Sequence, residues 1–338
     1  MRNKHFIQII TAIIISLIIS AAAFHLYYQG RIGELESSIK TLREEVTELN
    51  NELSKYKILT LVDDQGYVLN LTSYPNRIVS LAPSNTEILF AVGAGDKVVG
   101  VTDYCDYPYN FSAWIEAGNM TSIGSYWNPS IEPIVALNPD LILASPASEK
   151  AANRLRSMGY NVLMLDPKNI NDVLQDIILV GRATGHDVEA SILVGTMRER
   201  IDCVINTLRN ATFRPKVYFE VWNDPLMSAG PGTWINELIK LAGGVNIFEN
   251  ATSQWPVVSS ESIIQQNPDI IILPSSHGAG PPFWGSFDRV KSRPGWDAIS
   301  AIKNDRLYVI NGDIIARPGP RIVDALETLA KIIHPEMF

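Results

Sequence analysis

Cysteine is scarce in this chain: its 338 residues contain only Cys105 and Cys203. The two lie far apart and form no CxxC pattern, so the sequence predicts neither a disulfide framework nor a cysteine-liganded zinc site. One bond between the two sulfur atoms stays open, beside the alternative of two buried free thiols.

Positive charge is also limited. The chain has 28 Lys and Arg against 36 Asp and Glu, a formal net charge of -8, with no basic cluster beyond its first residues. This balance argues against a nucleic-acid partner and disfavours an anionic ligand. The length and a hydrophobic content of 46% suffice for two packed domains with accessory segments.

Catalytic signatures are missing as well. The sequence has no GxSxG elbow, no HExxH pair and no glycine-rich phosphate loop with lysine, so we predict no enzyme and no catalytic cofactor or metal. The histidines are widely separated. His277, in a Gly- and Pro-rich segment after a predicted strand, is either a metal or haem ligand or a solvated loop residue.

The N-terminal segment carries a long uncharged run. Residues 6–26 contain no Asp, Glu, Lys or Arg, and Arg2 and Lys4 precede them. We predict a transmembrane anchor within residues 1–30, with a signal peptide cleaved near Ala21–Ala23 as the alternative. Both place the rest of the chain outside the cytoplasm.

Residues 31–57 repeat apolar side chains at alternating spacings of three and four. This a/d seam predicts a coiled-coil spacer and favours a parallel dimer, and a helix packed on its own domain is the alternative. The seam consists of Ile32, Leu35, Ile39, Leu42, Val46, Leu49, Leu53 and Tyr56.

The remaining chain alternates apolar strands and helices. A β-hairpin lead-in over residues 58–76 precedes two strand and helix series, in residues 77–170 and 213–338. Between them lies a mostly helical stretch, residues 171–212, interrupted near Gly185. The pattern predicts an α/β protein with two lobes on a helical connector.

An internal repeat relates the two lobes. Glu132 stands six residues before an Asn-Pro-Asp turn and an apolar strand, and Glu261 does the same in the second lobe. The repeat predicts pseudo-symmetric lobes that face a shared cleft. We interpret Glu132 and Glu261 either as first-turn helix caps or as exposed carboxylates that grip arginines on a two-subunit partner.

Aromatic side chains follow several predicted strands, where α/β lobes present their ligand surfaces. They predict flat apolar walls for a large uncharged ligand, with ordinary lobe packing as the alternative. Asp313 and Arg317, in a predicted loop before the last helix, either orient that ligand or form a surface ion pair. The aromatic candidates are Tyr104, Tyr126, Trp127, Trp222 and Trp255.

Four sets of residues together resemble the helical-backbone class of ABC importer substrate-binding proteins, and within it the cobalamin-binding proteins. They are the segments Arg77–Glu87 and Val99–Pro108, the two Glu and Asn-Pro-Asp units, and Arg317–Arg321. The resemblance implies two Rossmann-like lobes joined by one long backbone helix. It also implies that Glu132 and Glu261 dock on an ABC permease dimer driven by ATPase subunits.

The same resemblance implies a corrin held between the lobes. Ser145 departs from the class, because an aromatic residue is expected there, and Trp127 and Trp222 are additional aromatics beside the expected positions. The residues that match the corrin-binding positions are Tyr104, Tyr126, Trp255, Asp313 and Arg317.

These observations predict an extracytoplasmic binding protein that captures cobalamin and delivers it to an ABC permease. The same role for a ferric siderophore or haem is the first alternative. A stalked ectodomain with a sensor or enzyme function is the second.

Overall fold

The computed structural model describes residues 20, 28–46, 48, 59–275 and 286–338. The chain divides into two compact units, Met1–Ile58 and Leu59–Phe338. The first unit contains the predicted anchor and spacer, and the second contains the two predicted lobes.

In the first unit, residues 28–46 are helical, and the seam residues within that range are exposed. This agrees with a helical spacer, but no coiled coil is shown. None of the helices in the described ranges is long and apolar enough to cross a membrane. The predicted anchor in residues 1–30 and the second half of the spacer lie largely outside the described residues, so both stay predictions.

The second unit begins with the predicted hairpin. Strand β1, Leu59–Val62, pairs antiparallel with β2, Val68–Leu71. Asp63 in the connecting turn accepts backbone hydrogen bonds from Gln65 and Tyr67, and its carboxylate pairs with Arg156 of the following lobe. The hairpin is therefore fixed to that lobe by a buried ion pair.

The N-lobe is built on a parallel sheet in the order β5-β4-β3-β6-β7. Strands β3, β6 and β7 are buried along their whole length, as strands covered by helices on both faces must be. The strands are β3 Ile78–Ser80, β4 Val98–Val101, β5 Thr121–Ser122, β6 Leu141–Ala144 and β7 Val162–Met164. The helices are α1 Pro83–Ala91, α2 Phe111–Glu116, α3 Ile131–Ala136 and α4 Glu149–Ser157.

The connector consists of two helices, α5 at Ile170–Thr184 and α6 at Asp187–Thr207. Gly185 ends α5 in the left-handed conformation with φ of 79°, which terminates the helix at little steric cost. The single long backbone helix that the resemblance implies is therefore broken here, as the interruption near Gly185 predicts. Helix α5 packs on α1 of the N-lobe, and α6 packs on the last helix of the C-lobe.

The C-lobe has parallel strands in the order β10-β8-β11-β12, and β9 lies antiparallel to β8. The strands are β8 Lys216–Asn223, β9 Leu226–Ser228, β10 Val245–Asn246, β11 Ile270–Pro274 and β12 Leu307–Ile310. The helices are α7 Trp234–Leu241, α8 Ser260–Gln266, α9 Phe287–Lys291, α10 Ser300–Lys303, α11 Gly312–Ala316 and α12 Ile322–Ile333.

The Asn-Pro-Asp turns of the sequence repeat have the same backbone conformation and the same type of hydrogen bond in both lobes. Asn138 and Asn267 both take positive φ after their helices, at 44° and 48°. Asp140 then accepts a hydrogen bond from the backbone N–H of Arg77, and Asp269 accepts one from that of Lys216. Each turn thus ties the start of one strand to the start of its neighbour, β3 to β6 and β8 to β11.

Candidate ligand-binding cleft

Residues that follow strands of the two sheets meet across the lobe boundary. Glu87 lies in α1, directly after β3, and Arg321 follows α11, which comes after β12. The guanidinium of Arg321 donates to both carboxylate oxygens of Glu87, from Nε at 2.9 Å and from Nη2 at 2.6 Å. Ligands of open α/β sheets bind outside the carboxyl ends of strands, so this edge is the candidate cleft.

Arg317 extends the same ion cluster. Its Nη1 donates to Glu87 Oε1 at 3.3 Å and to Asp106 Oδ1 at 2.5 Å, and its Nη2 lies 2.8 Å from Asp313 Oδ1. Burial lowers the pKa of Arg317, but the hydrogen bond to Asp106 and the nearby carboxylates outweigh it and hold the pKa above its ordinary value. Arg317 therefore keeps its positive charge.

The predicted loop carrying Asp313 and Arg317 is partly wrong. Residues Gly312–Ala316 form helix α11, because Asn311 caps it by accepting from the backbone N–H of Asp313 at 2.8 Å. The two side chains do form an ion pair, as one interpretation expected. It is mostly buried rather than superficial, with Arg317 only 12% exposed.

The aromatic candidates lie on loops and strand ends of both lobes. Trp127 is 69% exposed, and Tyr104 and Trp222 are also exposed, whereas Tyr126 and Trp255 are half-buried. Tyr126 and Trp127 meet edge to face at 4.9 Å, and Trp255 meets Trp234 in the same way at 5.6 Å. The backbone carbonyl of Tyr104 accepts a hydrogen bond from Arg317 Nη2 at 3.4 Å, so Tyr104 lies beside the ion cluster.

Ser145, where the resemblance expects an aromatic, is buried at the end of β6. Burial raises the pKa of the nearby Tyr126 phenol. The phenol is therefore neutral, and Ser145 supplies no aromatic ring at this position.

Glu132 and Glu261 occupy matching first-turn positions on α3 and α8, and both are exposed. Backbone hydrogen bonding and the Ser259 hydroxyl lower the pKa of Glu261, which favours its charged form. Ser259 caps α8 by accepting from Ser262 N, whereas Ser130 makes no such side-chain bond at α3. Capping therefore accounts for only part of the repeat, and both carboxylates stay available to a partner.

Sequence reasoning assigned no role to Glu87, Asp106 and Arg321, although all three lie in or beside the quoted motifs. The available signal was the position of Glu87 in helix α1, directly before the apolar residues Ile88–Phe90, because a charge that becomes buried there requires a partner. Tyr107 was also missed: its ring lies 4.0 Å below the Arg321 guanidinium.

The cysteines are both free. Cys105 is buried, with its sulfur 3.2 Å from Thr86 Oγ1 and 3.3 Å from Thr102 Oγ1, and burial raises its pKa. Cys203 is exposed on α6. The bond between Cys105 and Cys203 that the sequence left undecided is therefore not formed. His277, the candidate metal or haem ligand, lies outside the described residues.

Comparison with known proteins identifies the family. Residues 78–314 match the periplasmic binding protein family. An uncharacterized ABC transporter substrate-binding lipoprotein of Bacillus subtilis is 32% identical over 83% of this chain and 87% of its own length. A vitamin B12-binding protein of Vibrio cholerae is 30% identical over 74% and 86%, and a cobalamin-binding protein of Halobacterium salinarum is 29% identical over 82% and 74%.

Solved structures share the fold. A possible iron-binding protein of Staphylococcus epidermidis superposes with a TM-score of 0.67 at 30% identity, covering 78% of this chain and 100% of its own. The periplasmic vitamin B12 binding protein of Vibrio cholerae gives 0.64 at 26% identity, covering 77% and 97%. The chain therefore belongs to the periplasmic binding protein family, in its ferric siderophore, haem and vitamin B12 class, and is a substrate-binding protein of ABC transport rather than an enzyme.

Proposed function

We propose that this protein captures a corrinoid such as cobalamin in the interlobe cleft, outside the cytoplasm, and delivers it to an ABC permease. The observation that carries the proposal is the occurrence of exposed aromatic rings beside an ion cluster whose two arginines are already paired with carboxylates of the protein. A corrin offers a broad apolar ring with neutral amide arms, so it needs flat walls and a few fixed polar groups. The vitamin B12-binding and cobalamin-binding relatives support the same cargo.

The exposure of each candidate side chain suggests its proposed role in binding the corrin. The rings of Tyr104, Trp127 and Trp222 have exposed faces to offer, and Tyr126 and Trp255 give firmer walls because neighbouring rings hold them. Asp313 and Arg317 orient the amide arms from the C-lobe side.

Haem or a ferric siderophore is the second candidate. A periplasmic haem-binding protein of Roseiflexus superposes with a TM-score of 0.67 at 26% identity, close to the vitamin B12 case. The fold therefore does not choose between these cargoes, and the choice rests on the walls and charges of the cleft.

Delivery is proposed to use Glu132 and Glu261. Their matched, exposed positions on the two lobes suit a permease dimer that presents one basic site to each lobe. ATPase subunits on the cytoplasmic side of that permease would drive uptake.

The N-terminal segment is proposed to hold the protein at the membrane. An anchor in residues 1–30 and a parallel coiled-coil dimer over residues 31–57 are consistent with the exposed apolar seam of the described helix. A sensor ectodomain on such a stalk is the less economical proposal, because the body belongs to a transport family.

Isothermal titration of the full chain in detergent micelles with cyanocobalamin, hemin and ferrichrome tests the cargo. We expect one cyanocobalamin per chain with micromolar or tighter affinity, and weaker binding of the other two. Tighter binding of hemin or ferrichrome, or no heat with cyanocobalamin, would reject the corrinoid.

A further inference from the structure

Arg317 and Arg321 are cleft cations that already have carboxylate partners on the opposite lobe. Glu87 accepts from both guanidiniums, and Asp106 accepts from Arg317. Both acids belong to the N-lobe and both arginines to the C-lobe. The protein's own carboxylates therefore pair with both arginines across the lobe boundary.

The cluster carries more negative than positive charge. Two guanidiniums face three carboxylates, because Asp313 also pairs with Arg317 at 2.8 Å. Glu87 is only 2% exposed, so its charge is poorly screened by water, whereas Asp106 is 47% exposed at the edge of the cluster.

We propose that Glu87 and Asp106 determine specificity by excluding anionic cargo: they occupy the guanidiniums that a carboxylate or catecholate would need. This inference rests on the proposed function and narrows its cargo to uncharged, amide-bearing macrocycles. An incoming carboxylate must either add a further negative charge beside the cluster or displace Glu87 and leave it buried without a partner.

A neutral amide avoids both penalties. A guanidinium has five N–H donors, and Arg321 uses only Nε and one hydrogen of Nη2 on Glu87, so Arg321 retains donors for an amide oxygen while its ion pair stays intact. The amide oxygen brings no charge, and the buried Glu87 keeps its partners. The cluster therefore accepts an amide arm at Arg321 and rejects the acid derived from that amide.

Asp106 is the better position for a test, since its exposure lets it be changed with little effect on folding. Full-length wild type and Asp106→Asn are titrated at neutral pH with cyanocobalamin and with its monocarboxylic acid, in which one side-chain amide is hydrolysed. Asp96→Asn is the matched control, because it removes the same charge from an exposed N-lobe site outside the ion cluster.

We expect the wild type to bind the acid about 10-fold more weakly than cyanocobalamin, because the acid adds one negative charge beside the cluster. Asp106→Asn should reduce this ratio of affinities to about 3-fold or less, while Asp96→Asn keeps the wild-type ratio. If Asp106→Asn still binds cyanocobalamin and the ratio of the two affinities is the same as in the wild type, the inference is overturned. The proposed function is then unaffected.

If the wild type binds neither corrinoid, the proposed cargo is overturned, and hemin tests the charge inference separately. Hemin carries two carboxylates, so Asp106→Asn should bind it about 10-fold more tightly than wild type or Asp96→Asn. No gain for hemin overturns the inference in that case as well.

Discussion

Arg321 of the C-lobe grips Glu87 of the N-lobe through two hydrogen bonds of 2.9 and 2.6 Å. The carboxylate is almost fully buried, and the guanidinium also covers the ring of Tyr107. A bidentate, charge-assisted pair of this kind fixes the relative orientation of the two side chains in addition to attracting their opposite charges. It joins the helix after β3 of the N-lobe to the segment after β12 and α11 of the C-lobe.

Replacing Glu87 should be costly. Glu87→Gln leaves the Arg321 and Arg317 guanidiniums short of a buried counter-charge, and we expect a loss of about 3 kcal/mol in the free energy of unfolding. Urea denaturation measures it. Glu327→Gln is the control, because its pair with Arg200 is about one-third exposed and should cost less than about 1 kcal/mol. Equal losses in the two variants would show that the Glu87 pair is no more than a surface contact.

The buried carboxyl of Asp176 on α5 should make stability depend on pH. Burial, with the neighbouring Asp64, raises its pKa from 3.8 to about 9. The folded protein therefore keeps a proton that the unfolded chain loses, so stability falls as the pH rises between these two values. Asp176→Asn should remove this fall. The free energy of unfolding of the variant should therefore rise relative to that of the wild type by roughly 1 kcal/mol per pH unit from about pH 5 to pH 8.

Urea melts of wild type, Asp176→Asn and Asp187→Asn across that range provide the check. Asp187 is exposed at the start of α6, so its variant should run parallel to the wild type. If the Asp176→Asn curve also runs parallel to the wild type, the carboxyl is not held protonated.

The exposed tryptophans should matter for binding and not for folding. Trp127→Ala and Trp222→Ala should each weaken cyanocobalamin binding about 10-fold, as expected for the loss of one stacked aromatic wall, with little change in the urea midpoint. Phe213→Ala is the matched control: Phe213 is 62% exposed but precedes β8, at the opposite end of that strand from the cleft. Loss of binding in the control alone would move the site elsewhere.

Docking should separate from cargo capture. Charge reversal at both sites, Glu132→Lys with Glu261→Lys, should reduce transport of labelled cyanocobalamin at least about 10-fold in vesicles carrying the cognate permease, because like charges then oppose at both contacts. Cargo affinity in solution should not change. Glu116→Lys, on the exposed side of α2, should transport normally. Wild-type transport by the double variant would exclude these carboxylates from docking.

The alternation of strands and helices predicted for the two lobes is confirmed, and it was clearest at strands such as Leu141–Ala144, which are buried along their whole length. Strands inside a parallel sheet need apolar side chains on both faces, so they form unbroken apolar runs in the sequence. Strands β5 and β10 were missed, since two residues such as Thr121–Ser122 carry no periodicity. Helix α11 was missed for a different reason: its cap, Asn311, also suits a turn.

The candidate site was predictable only in part. Topology alone brings strand-end residues such as Tyr104 and Trp222 towards the facing carboxyl edges. The pairing of Glu87 with Arg321 joins residues 234 positions apart and depends on how the lobes pack, which local sequence does not encode. The motifs contained both residues, but charge alone gave no reason to pair them.

The most direct test is a crystal structure of the protein grown with cyanocobalamin. We predict the corrin between the lobes, against Tyr104, Trp222 and Trp255, with the pair of Glu87 and Arg321 still formed. A corrin bound outside the cleft, or a cleft filled only after that pair has separated, would contradict the account.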